Sequence, residues 1–404
     1  MFRNPFIGGV LLVAGTTIGA GMLALPVVSG FVGFIPSLVT FLISWLVMLT
    51  TGFFLLDTNL AVKGESNFIS MVHSTLGTWG RNVSWVLYLV LLYVLTAAYI
   101  AASAPLFSAV MLYLTGHLFP FWISCILLSI IFGGFVYLGI WSVDIVNRFL
   151  MLGLGVSYLL LIIFLPSYVE SGLLSHINWS LMPGLFPVVI TSFGYHIIIP
   201  SLTTYVNHSR KKLFWILLIG SMLPLLVYIL WQLLILGIIP IKGEASLGEA
   251  WNQGFLATQP LTRIVAHRWV KGGAQCFSFF AILTSFLGVT LSLSDFLMDG
   301  LKIKKSWDGR FLSCLLTFVP PLFFVFTYQR GFLVALEYAG ACIAVLLIFF
   351  PAMMAWKLKK PRFYTTFWGK ALIMLVMLFA LFIVVVDVLE QLGYFRPFVL
   401  NSLQ

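Results

Sequence analysis

Apolar residues run along this chain in stretches of about twenty with few charges among them, the length a helix needs to cross a bilayer core. Such stretches fall at 6–30, 34–56, 83–114, 119–138, 145–165, 184–205, 213–238, 273–297, 311–329, 332–356 and 367–391. They predict eleven membrane-spanning helices, the third long enough to cross at a strong tilt. Two further segments carry mixed patterns. Residues 57–82, with "GESNFISMVHSTLG", read as an amphipathic surface connection and candidate inner gate. The long connector 239–272 reads as an outer lid.

Two of the spans interrupt their own pattern. The first contains "AGTTIGAGMLALP", Ala14 to Pro26, with Gly15, Gly19 and Gly21 inside seven residues. Glycine weakens a helix, and proline removes a backbone donor. Gly15-Thr-Thr-Ile-Gly19 also fits the GxxxG pattern by which membrane helices pack closely, so alone it reads equally as a packing surface. The sixth span supplies a counterpart, "TSFGYHIIIPSL", Thr191 to Leu202. Here Phe193 precedes Pro200 by seven residues, as Gly19 precedes Pro26. Paired broken helices point to an inverted-repeat secondary transporter. Unwound backbone at membrane depth is tolerated only where protein or a wet cavity satisfies it. One broken end then offers N–H groups to a carboxylate and the other offers carbonyls to an ammonium or a cation. A zwitterionic amino acid needs both.

Composition excludes a soluble domain: 61% hydrophobic and 8% charged residues cannot cover a water-facing surface. The net charge of +10 sits in short clusters between apolar runs, the pattern of topology determinants and not of a nucleic-acid patch. With the N-terminus inside, inner segments hold sixteen of the 22 Lys and Arg, and four of the six outer ones lie in the 239–272 loop. The bias predicts a cytoplasmic N-terminus and a C-terminus on the outer side, so the first span runs outward and the sixth inward. Cys125, Cys276, Cys314 and Cys342 lie in apolar runs without paired spacing and read as buried thiols, neither metal-bound nor bridged. No HExxH, GxSxG, phosphate loop or facing pair of carboxylates supports a membrane enzyme. Nothing resembles a channel's selectivity filter. A gradient-driven carrier without cofactor is the expectation.

"GTTIGAGMLALP", "SFGYHIIIPSL" and, in the eighth span, "LGVTLSLSDFL" together resemble the hydroxy and aromatic amino acid permeases, the tyrosine- and tryptophan-specific transporters of bacteria, over the whole chain. One position departs from that pattern: the family has glycine after the histidine, where this chain has Ile197. The resemblance implies an all-α integral membrane protein of the leucine-transporter type. Two inverted repeats of five helices, 6–165 and 184–356, would carry an extra helix at 367–391. It implies import of an aromatic amino acid, tyrosine first and tryptophan second, by proton symport across a cell inner membrane, with the C-terminus periplasmic. Sodium symport on the same fold is the alternative. Carried over residue by residue, Ala20 and Gly21 would give N–H groups to the carboxylate, and the carbonyls of Thr17, Ser192 and Phe193 would take the ammonium. Gly19 and Gly194 would let the ligand approach, with Tyr195 and His196 beside its side chain.

Several residues carry both a functional and a plain reading. His196 is an ionisable group inside a broken span, hence a candidate for substrate bonding or proton coupling. Thr290 and Ser294, with Ser285, offer hydroxyls for a coupling ion, although such groups more often bond back to their own helix. Glu337 is a candidate gate and coupling residue or a snorkelling carboxylate. Of Tyr88, Tyr93 and Tyr99 in the third span, two are candidates to face the substrate pocket and help sandwich an aromatic ring, against the default reading of aromatic residues as packing.

Overall fold

The computed structural model describes residues 5–62, 67–304, 306–327, 331–359 and 362–394. Within them ten helices are long and apolar enough to cross a membrane, and the bent pair Pro5–Thr17 and Gly21–Ser29 makes an eleventh span, turning by 51°. The other ten follow as Phe34–Ala61, Phe68–Thr115, Phe121–Leu138, Ile140–Phe164, the composite sixth, Arg210–Leu236, Arg268–Gly300, Trp307–Thr327, the composite tenth and Phe367–Gln391. Apart from an isolated bridge between Gly33 and Ile177, the described residues are helix, turn and loop. Helices satisfy most of the backbone within their own segment, as a crossing of lipid requires.

Three spans depart from simple rods. The third begins at Phe68, earlier than the hydropathy pattern places it, because the surface segment joins the crossing helix through Gly77 at φ 81°. Only glycine takes that left-handed value cheaply. Phe68, Met71 and Val72 on the near side of the kink are buried against the bundle. The sixth span runs as helix Met182–Ser192, a 3₁₀ turn Tyr195–Ile198 and helix Ile199–Tyr205, whose first turn holds Pro200. The tenth contains a π-helical stretch, Ala344–Phe349, between Gly331–Ile343 and Phe350–Lys357. No residue pattern announced it.

The broken helices stand at the centre. The sixth span is 67% buried, whereas the fifth, facing lipid, is 22% buried. One end of the molecule is tied by a buried carboxylate: Asp57 accepts both Arg210 nitrogens, at 2.7 and 3.0 Å, and the Tyr364 hydroxyl at 2.6 Å. This joins the second span, the start of the seventh and the connection between the tenth and eleventh. Burial first, and then the bond to Asp57, pushes the Tyr364 phenol above its ordinary pKa. All four cysteines are free, but only Cys125 is fully buried; Cys276 is exposed on the apolar surface, correcting the expectation of four buried thiols.

At the opposite end, the expected lid consists of two short helices, Leu247–Gln253 and Thr258–Ile264. Ser246 caps the first by accepting the Glu249 N–H at 3.1 Å. Glu249 accepts the Ala245 N–H at 2.7 Å and Arg263 at 2.8 Å, which together hold its carboxyl below the usual range, the backbone bond most. The lid seats on the half-helix Gly21–Ser29 and the residues after it. Trp251 meets Phe31 edge-on at 5.9 Å, and the Ala257 N–H reaches the Leu23 carbonyl at 3.4 Å.

Candidate substrate site

The first helix ends at Thr17 and restarts at Gly21. Two bonds rebuild the ladder across the gap, from the Met22 N–H to Gly19 at 3.1 Å and from the Leu23 N–H to Ala20 at 3.0 Å. Glycine is required here by packing. A Cβ at Gly19 would collide with the Ser285 hydroxyl of the eighth span, and one at Gly21 would lie 2.8 Å from the Ser192 hydroxyl of the sixth. Two side chains then pin the breaks. Ser285 accepts the Ala20 N–H at 3.0 Å. The buried Tyr228 hydroxyl, from the seventh span, stands 2.6 Å from the Thr17 carbonyl and 2.8 Å from the Ser192 carbonyl. One hydroxyl proton is thereby shared between the last carbonyls of two different broken helices.

Beside these breaks lies a cavity of about 460 Å³. Thr17, Gly19, Ala20, Gly21, Ser192 and Gly194 line it, facing Tyr99 of the third span, Asn147 and Met151 of the fifth, and Ser285 of the eighth. Its chemistry is that of a zwitterion's cradle with apolar walls: helix-end backbone groups, several hydroxyls, one amide and leucine or isoleucine between them. Asn147 is notable because its Oδ1 is buried without a partner, a costly state for an amide oxygen.

The remaining candidates go elsewhere. Phe193 is buried against the Tyr228 ring at 5.3 Å. Tyr195 and His196 point to the second span, not into the cavity, which corrects the expectation that they flank the ligand. The Tyr195 hydroxyl donates to the Met48 carbonyl at 3.2 Å, His196 Nε2 pairs with the Thr51 hydroxyl at 2.9 Å, and the two rings stack at 4.9 Å. Tyr195 and His196 are fully buried there, whereas Gly194, Ile197 and Ile198 of the same segment line the cavity. Gly52 makes room, since a Cβ there would lie 2.7 Å from the Tyr195 hydroxyl. Thr290 bonds back to Phe286 at 2.7 Å, and Ser294 pairs with Ser313 at 2.9 Å, so neither lines the cavity. Glu337 lies on helix Gly331–Ile343, but its side chain is outside the described residues. Among the described residues no cluster of three or more His, Cys, Asp or Glu is placed to hold a metal.

A second, larger cavity of about 1080 Å³ opens at the end where Asp57 and Arg210 meet, lined by Asn59, Phe68, Tyr88, Ile197, Pro200 and Phe296 among others. Tyr88 thus faces this vestibule and Tyr99 the central cavity, while Tyr93 donates to the Leu316 carbonyl at 2.9 Å. Residue reading missed Tyr228, Met151 and the π-helix, which carry no local signal. Asn147 had one, a polar amide inside an apolar run.

Residues 3–387 match the model of the tryptophan/tyrosine permease family. The chain belongs to that family. It is 32% identical to the tyrosine-specific transport system 1 of Haemophilus influenzae, covering 98% of this chain and 100% of that protein. It is also 32% identical to the low affinity tryptophan permease of Escherichia coli K12, over 95% of each. In structure it is similar to MhsT, solved with L-phenylalanine, at a TM-score of 0.61 and 16% identity over 95% of this chain and 98% of that one. A manganese transporter of Eremococcus coleocola gives 0.62 at 14% identity, over 95% and 85%. The fold is that of the leucine-transporter type, and this permease, like its relatives, is a transport protein and not an enzyme.

Proposed function

We propose that the protein imports an aromatic amino acid, tyrosine ahead of tryptophan, by proton symport with alternating access across a bacterial inner membrane. The observation that carries this reading is the meeting of two broken helices at one cavity of about 460 Å³, with carbonyls of both converging on a single point. The ammonium approaches the Thr17 and Ser192 carbonyls, each with a lone pair beyond the one Tyr228 uses. The carboxylate meets the restarted helix at Gly21, whose dipole end is positive. Ala20, its N–H held by Ser285, shapes this end without donating to the ligand. Tyrosine takes precedence because a phenol both donates and accepts, which suits Asn147 and the lining hydroxyls of Thr16, Thr284 and Ser292. An indole only donates.

Proton coupling is favoured over sodium because Thr290 and Ser294, the hydroxyls that would serve a sodium ion, do not line the central cavity. His196 is an ionisable group buried in the moving turn. The Lys and Arg bias supports a cytoplasmic N-terminus and a periplasmic C-terminus. In that orientation the vestibule opens to the cytoplasm and the lid helices close the periplasmic side. The two inverted repeats, 6–165 and 184–356, would then each contribute one broken helix to the site.

The test uses purified protein in liposomes with labelled tyrosine or tryptophan outside. An inward proton gradient without sodium is expected to drive accumulation of tyrosine more than tryptophan. Accumulation only under a sodium gradient at equal pH would overturn the coupling. Uptake of neither amino acid under both gradients would overturn the substrate.

A further inference from the structure

Ile197 is shared by the linings of the central cavity and the vestibule, and among the described residues no other is. Its neighbours Tyr195 and His196 are fully buried, yet Ile197 is 38% exposed. Gly194 and Ile198 line the central cavity and Pro200 the vestibule, so Ile197 stands where the two linings meet along this segment. The facing helices cross over at the same level. On the third span Leu92 lines the central cavity and Tyr88, one turn away, the vestibule. On the eighth, Ser292 lines the former and Phe296 the latter. Gly194 has no side chain and Ile198 lines the central cavity alone, so Ile197 is the side chain of this turn that a ring meets at the boundary with the vestibule.

We propose that Ile197 is the size-determining residue of the permease, the threshold side chain that an aromatic ring must pass between the central cavity and the vestibule. The inference rests on the transport reading above and adds its selectivity: a single ring clears the threshold faster than an indole. A branched side chain is stiff at its first torsion, so Ile197 yields to a ring less readily than an unbranched chain would. This discrimination acts on rate of passage and adds to the binding preference for a phenol at Asn147, because the carboxylate and ammonium contacts at the breaks are the same for both substrates.

Ile197→Ala and Ile197→Trp, beside the unaltered protein, test this in liposomes by tyrosine and tryptophan exchange and by equilibrium binding of both. Ile197→Ala is expected to raise the tryptophan-to-tyrosine exchange ratio about tenfold, the scale on which a few methyl groups discriminate. Binding of either should change less than the exchange rate. Ile197→Trp should slow both. An exchange ratio unchanged in Ile197→Ala, or binding that shifts as much as rate, overturns the proposal. A second arm needs no substrate: Val289→Cys, on the central cavity, is placed in a Cys276→Ser background and labelled by a bulky thiol reagent from the vestibule face. Labelling should be faster with Ile197→Ala and slower with Ile197→Trp; equal rates in all three overturn the threshold. If the unaltered protein moves neither amino acid, the transport reading fails, and the thiol arm decides the threshold by itself.

Discussion

Single atoms decide the geometry of the breaks. A methyl added at Gly19 meets the Ser285 hydroxyl and nothing else close, so Gly19→Ala should displace the first break and cost about a hundredfold in uptake, as misplacement near a reacting or binding centre does. Ser285→Ala removes the colliding oxygen. The double variant Gly19→Ala/Ser285→Ala should therefore take up tyrosine better than Gly19→Ala alone, and a cycle without coupling would refute the collision. Tyr228→Phe strips the donor shared by the Thr17 and Ser192 carbonyls; a bond worth about 1.4 kcal/mol predicts about a tenfold loss of uptake. Unchanged uptake would mean that the helices alone hold those carbonyls. Asn147→Leu removes the unpartnered amide oxygen. Competition assays should then find phenylalanine inhibiting tyrosine uptake several-fold better, because the site no longer penalises a ring without a hydroxyl.

At the scale of the element, the sequence showed what depends on backbone chemistry and concealed what depends on rotation. Glycine inside a span weakens its helix, so the breaks were readable once "GTTIGAG" and "SFGYHIIIP" stood as a pair in spans one and six, and continuous apolar runs placed the eleven spans. Which way Tyr195 and His196 point was not readable, since it depends on how the folded turn is rotated against the second span, where both make their hydrogen bonds. Nor was the role of Tyr228, which depends on a helix distant in the chain. The lid has its own testable electrostatics. Glu249 is held below the usual carboxyl range by the Ala245 N–H and Arg263. Its stabilisation of the loop is therefore whole above the unfolded-state pKa, ordinarily near 4.5, and is lost as pH falls through the lower folded-state value. Amide protection over 247–264, measured against the intrinsic exchange rate at each pH, should fall in that acid window. Glu249→Gln should show the faster exchange already at neutral pH and lose the acid response; an unchanged profile would show that the Ser246 cap alone holds the helix.

For the whole molecule, the proposed alternating cycle would have this arrangement, with the 247–264 helices seated and the vestibule open, as one of its sides, and His196 as the candidate coupling group. It lies outside the cavity, paired with Thr51 of the second span through Nε2, with Nδ1 buried and unpartnered. A proton at Nδ1 makes both ring nitrogens donors, obliging the turn to find a second acceptor or to part from the second span. The next residue in that turn is Ile197, at the passage between the two cavities. In the proposed proton symport the charge on His196 would reach Ile197 through one peptide unit, while size discrimination stays with the Ile197 side chain itself, which a change at His196 leaves unaltered. His196→Gln should accordingly lose proton-driven accumulation by more than about tenfold while the tyrosine-to-tryptophan preference is kept. Accumulation measured under an inward proton gradient, with the preference measured by exchange, separates the two. A variant that still accumulates substrate would place coupling on another group, and one that changes preference would bring His196 back beside the ligand's ring.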